Sequence, residues 1–222
     1  MKSNTVVNHV DVGVLATNKV LRNTYLLLSM TLLFSAATAG LAMYFNLPHP
    51  GMIVSMVGYF GLLFLTSKFS NSGLGILCVF ALTGFMGLTL GPILNMYINT
   101  FSNGHALIMT ALGGTGIIFL GLSAYALTTR KDFSFMGGFL MVGMMVGFLA
   151  GIGAVIFSIP GLALAVSAMF MLLMSAMILY QTSEMIHGGE TNYILATVSL
   201  YVSIYNLFTI LLQFLGIFGG DD

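Results

Sequence analysis

Polar side chains embedded in an apolar sequence are where chemistry could occur. Ser199, Ser203 and Asn206 are spaced four and three apart, which puts them on one face of a helix. Tyr180, Gln181 and Glu184 stand near the end of the preceding apolar run. Such a stripe at membrane depth either ties helices together or lines a water path for a small cation such as a proton or calcium. The residues alone leave both readings open. The four histidines, His9, His49, His105 and His187, fall in a terminal segment or in loops, so no paired-histidine haem site is expected. No aspartate lies inside an apolar run, and only His187, at an edge, could meet a serine at depth. Intramembrane proteolysis therefore lacks its residues. The glycines follow no strand and precede no lysine, which excludes a phosphate cradle. Cys78 is the single cysteine and sits in an apolar run, so no disulfide framework exists within the chain. No cofactor or metal is expected, and an enzyme is the weakest reading.

These residues need elements to position them. Of 222 residues, 58% are apolar and 5% charged. A soluble domain carries roughly 25% charged residues. Apolar surface in this proportion needs a second apolar solvent, and the lipid bilayer is that partner.

The charges divide the chain. None lies between Arg22 and Lys68, Lys68 and Arg130, Asp132 and Glu184, or Glu190 and Asp221. Crossing the hydrocarbon takes roughly 20 residues. The first three gaps each hold two crossings and the last holds one. Asn46, Pro48, Pro50 and Gly51 break the first gap, Asn99, Ser102, Asn103 and Gly104 the second, and Ser158, Pro160 and Gly161 the third. The expected architecture is all-α, with seven transmembrane helices at about 24–45, 51–67, 74–97, 106–129, 134–158, 162–186 and 193–217. The second is short enough to thin the bilayer locally. The third is expected to kink or break at Pro92. The first apolar run is too long for a cleaved signal and is expected to stay as a helix.

Lys and Arg gather on the cytoplasmic side of short loops. With the N-terminus in the cytoplasm, Lys2, Lys19, Arg22, Lys68, Arg130 and Lys131 all fall on that side. The C-terminus, with Asp221 and Asp222, then falls outside. Residues 1–18 read as a flexible cytoplasmic tail, and 19–222 as one seven-helix domain. Gly143, Gly147 and Gly151, and Gly87 with Gly91, are spaced for close helix packing. Such a face serves packing within a chain as well as pairing of two copies.

Four motifs then appear in order: Gly87 with Leu90–Leu94, Tyr125–Phe135, Leu179–Thr182, and Ser199–Phe208. Together they resemble the Bax inhibitor-1 family of seven-span membrane proteins, over about Val20 to Gly216. The likeness is nearest to the bacterial YccA-like branch. It implies residence in the bacterial inner membrane, association with the AAA-type membrane protease FtsH, and restraint of its action on other membrane proteins. Lys2, Asn8, Asp11 and Asn18 would mark the segment such a protease grips. Other branches are implied to be pH-sensitive calcium leaks, gated by paired aspartates on the last two spans. Those aspartates fall at Gln181 and Ser203 here, and neither residue ionises. A hydrogen bond between them would hold two helices together without titrating. Glu184, one turn further along, and Asn206 are the remaining candidates for gate-equivalent positions.

Overall fold

The computed structural model describes the backbone of residues 4–219 and the side chains of residues 17–219. Among them the chain is all-helical. The helices are α1 (Asn4–Tyr44), α2 (Met52–Phe69), α3 (Gly73–Thr100), α4 (Gly104–Thr129), α5 (Met136–Ile156), α6 (Pro160–His187) and α7 (Tyr193–Gly219). All seven are long and apolar enough to cross a membrane, with Thr17–Tyr44 as the crossing part of α1.

Helices form because lipid offers backbone groups no partner, so each segment must satisfy its own. The breaks follow turn chemistry. Asn46, Arg130 and Ser158 take positive φ of 49°, 49° and 51°, and Gly188 closes α6 at φ 78°. Behind Gly188, the amides of Gly189 and Glu190 donate to the Glu184 carbonyl at 2.9 and 3.2 Å, which satisfies the helix end. Pro160 occupies the first turn of α6, where its missing amide costs nothing.

One expectation needs correction. Helix α3 does not break at Pro92 but runs on through it. A break at depth would strand more backbone groups than the one amide proline lacks. Helix α1 begins at Asn4, so most of segment 1–18 has helical backbone. A helix already nucleated in the membrane extends without paying nucleation again. Lys2 and the side chains of Asn8 and Asp11 lie outside the described residues.

The seven helices are unequal. In α7, 56% of the most apolar stretch is buried, against 6% in α2, so α7 is central and α2 peripheral. Helix α7 packs on α6, α4, α1 and α3, whereas α5 packs on α6 alone among the helices described. Helices α1 and α4 do not pack on each other. The core gathers around Leu28, Val79, Leu82, Ile178, Leu200, Tyr201 and Leu207.

Asparagines fix the ends. Asn192 accepts the amides of Ile194 and Leu195 at 2.9 and 3.3 Å, capping α7. Its amide donates to the Ser70 carbonyl at 3.1 Å and to Asn71 Oδ1 at 3.0 Å. The α2–α3 and α6–α7 turns are thereby tied at one membrane face. At the opposite face, Asn95 of α3 donates to the Met43 carbonyl at 3.1 Å.

Candidate functional site

The polar stripe of α7 divides among three environments. Ser203 is buried and stands 3.2 Å from Gln181 Oε1 on α6. Its hydroxyl also donates to the Ser199 carbonyl at 3.0 Å. One hydroxyl has one proton. Turning the Gln181 amide over lets its NH2 donate to Ser203 Oγ while the hydroxyl proton stays on Ser199, so both groups are satisfied. The structure thus brings Gln181 and Ser203 into the interhelical hydrogen bond their types allow.

Ser199 and Glu184 belong to the membrane-face side of that bond. Along with Tyr180, Gln181 and Glu190, they line a pocket of about 290 Å³ where α6 turns into α7. Asn206 turns elsewhere. Its amide donates to the Val202 carbonyl at 2.9 Å, and it lines a pocket of about 240 Å³ with Ser55, Tyr59, Thr89 and Tyr205. Asn206 therefore does not join Gln181, Ser203 and Glu184.

The glycines mark close approaches. A side-chain carbon added at Gly87 would strike Thr38 Oγ1 and the Ser35 carbonyl of α1, and one at Gly91 would lie 2.5 Å from Ala42 Cβ. Carbons added at Gly143 and Gly147 would lie 2.7 Å from Leu173 Cδ2 and from Met169 Cε of α6, and one at Gly151 would lie 3.7 Å from Val166. The α5 glycine face is therefore turned to α6 of the same chain.

Two clusters lie outside the stripe, the first of them missed by the sequence reading. Buried Tyr201 of α7 meets Ser35 of α1 at 2.6 Å and donates to the Thr83 carbonyl of α3 at 3.3 Å. A tyrosine in mid-span was the available signal, because a buried phenol needs a partner. At the membrane face, Ser183 accepts the Phe133 amide at 2.9 Å. His187 Nε2 lies 3.1 Å from the Arg130 carbonyl. These bonds pin the α4–α5 loop to α6. In that loop Asp132 accepts the Ser134 amide at 2.8 Å, and this bond holds its carboxyl below the usual carboxylate range. Of the other histidines, His49 accepts the Gly51 amide at 3.0 Å in the α1–α2 loop, and His105 is exposed. Among the described residues no three His, Cys, Asp or Glu side chains gather as a metal site. Asn18 is exposed on α1.

These hydrogen bonds and close approaches hold helices together. The family described as Inhibitor of apoptosis-promoting Bax1 matches residues 17–220, nearly the whole chain. The chain belongs to the Bax inhibitor-1 family. Among curated relatives in this family, Modulator of FtsH protease YccA from Escherichia coli K12 is 52% identical over 214 residues, covering 96% of this chain and 97% of that protein. Inner membrane protein YccA from Escherichia coli O6:H1 matches to the same extent. An uncharacterized protein of Pseudomonas aeruginosa is 57% identical over 203 residues, 91% of each chain. Within the Bax inhibitor-1 family this chain is thus of the YccA kind.

Proposed function

We propose that this protein is an inner-membrane modulator that associates with FtsH and restrains its degradation of other membrane proteins. The observation that carries the reading is full-length likeness, at 52% identity, to a protein named Modulator of FtsH protease YccA.

The physical case starts from how an ATP-driven membrane protease works: it must pull on a segment of its client. In the orientation set by the basic residues, the segment 1–18 is on the cytoplasmic side and carries Lys2, Asn8, Asp11 and Asn18. Pulling there loads α1. That helix is seated on α3 at Gly87 and Gly91 and bonded to α7 through Ser35 and Tyr201. The protease would engage the end and stall against the body, and it is occupied while it does so. The role is interaction, not catalysis. The gate-equivalent pair supports the same reading, since a glutamine bonded to a serine forms no titrating latch.

The test is recovery of FtsH with the tagged full-length chain from native membranes in mild detergent, alongside the lifetime of a second FtsH membrane substrate. Recovery, with a longer substrate lifetime on overexpression and loss of both on deleting residues 2–18, is the expected result. No recovered protease and an unchanged substrate lifetime would overturn the reading.

A further inference from the structure

We propose that the cleft between α1 and α4 is a binding site for one acyl chain of a membrane phospholipid. This goes beyond the protease reading and stands whether or not that reading holds. The cleft has a volume of about 420 Å³ and is walled by α1, α3, α4 and α7. Helices α1 and α4 do not pack on each other, and the gap between them is its mouth.

Three observations select the occupant. The first is the lining. Leu32, Met43, Leu90, Leu94, Leu112 and Phe119 make the wall apolar. The hydroxyls that reach it are already engaged: Ser35 with Tyr201 at 2.6 Å, and Thr115 with the Ala111 carbonyl at 2.7 Å. The Ser35 and Thr115 hydroxyl protons are thus committed, and the mostly apolar wall offers water few of the two to four polar partners it needs. The second is length. From Leu32 to Met43 along α1 the cleft runs roughly 16 Å at the helical rise. One leaflet of a hydrocarbon core about 30 Å thick spans roughly 15 Å. The cleft lies in the leaflet on the side of the α1–α2 loop, so a single chain standing upright in that leaflet fits it end to end. The third is the mouth. Gly40 on α1 and Gly116 on α4 line the cleft, and a side-chain carbon added at either meets nothing within 4 Å. The opening is kept by absent side chains. An apolar space this size, left empty, forfeits its wall's dispersion contacts, and the surrounding solvent supplies the chain that restores them.

The full-length protein, purified in mild detergent and examined by native mass spectrometry, is expected to retain about one phospholipid per chain. Gly40→Phe and Gly116→Phe fill the mouth and should lower retention by on the order of tenfold. Gly61→Phe, on α2 where an added carbon also meets nothing within 4 Å, should leave it unchanged. Because the chain has no tryptophan, Phe119→Trp supplies a second readout that needs no filled cleft. In vesicles of mixed brominated and ordinary phospholipid, its fluorescence should fall in proportion to the brominated fraction, as it does for a site that holds a single chain. A wild-type protein that carries no phospholipid, equal loss in Gly61→Phe, retention of a polypeptide or other compound instead, or quenching that climbs more steeply than the brominated fraction, as for a probe met by several bulk lipids, would overturn the assignment.

Discussion

The hydroxyls of Ser35 and Tyr201 lie 2.6 Å apart, joining the first helix to the last at the centre of the molecule. Tyr201 gives its proton to the Thr83 carbonyl, so Ser35 is the donor between the two. Tyr201→Phe removes both bonds and strands a buried serine. It is expected to lower stability by about 1–2 kcal/mol, within the range for interhelical bonds in membranes. Ser35→Ala should cost less, because Tyr201 keeps Thr83. Reversible unfolding in mixed micelles orders the two, and an equal cost would refute the relay.

Gly91 and Gly113 test packing against propensity. An alanine at Gly91 pushes into Ala42 and the Ala39 carbonyl, the latter 2.8 Å from the added carbon, and should cost about 1–3 kcal/mol. At Gly113 the added carbon meets nothing, so alanine should be neutral or stabilise by up to about 1 kcal/mol. The same unfolding assay applies, and a harmless Gly91→Ala would mean that α1 and α3 are not in contact there.

Gln181 and Ser203 predict no pH response of their own. The double variant Gln181→Asp, Ser203→Asp puts two carboxylates where the hydrogen bond stood. Both cannot ionise cheaply, so one folded-state pKa rises. A raised pKa contributes stability that is present at low pH and lost as pH rises through it. Melting temperature should therefore fall with rising pH in the double variant relative to the wild type. Parallel curves would show that the two positions do not face each other.

Asp132 works with the opposite sign. Its folded-state pKa is lowered by the Ser134 amide, so its contribution is present above the unfolded value and lost as pH falls through the folded one. Base-corrected hydrogen exchange at the Ser134 amide should quicken only on the acid side of the ordinary aspartate range, and Asp132→Ala should quicken it at every pH. Exchange indifferent to Asp132 would remove its role in the turn.

Element positions were legible because charge and turn residues are scarce and fall between crossings. Lys68, Arg130 and Asp132 separate hairpins, and Asn46, Gly51 and Pro160 close them. Facing was much less legible. In soluble helices polar residues mark the outward side, but here Phe148 faces out and Leu140 in with nothing in their types to tell them apart. The exceptions carry a packing or bonding demand. Gly87 and Gly91 do meet a neighbouring backbone, and Ser203 does find Gln181. Asn206, assigned to the same stripe by spacing alone, turns toward α2 and α3 because its partner is its own helix's carbonyl. Tyr201 went unremarked because its partners, Ser35 and Thr83, are more than a hundred residues away in sequence.

The adjacency of α1 and α7 also sets a timetable. A ribosome releases α1 first and α7 last, and α1 can settle on α3 at Gly87 and Gly91 as soon as the third helix is made. Ser35 has no Tyr201 to meet, and Thr24 no Thr197, until translation is nearly over. The nascent protein therefore carries an unfinished seam through its middle for almost its whole synthesis, and the last helix to arrive is the one that closes it.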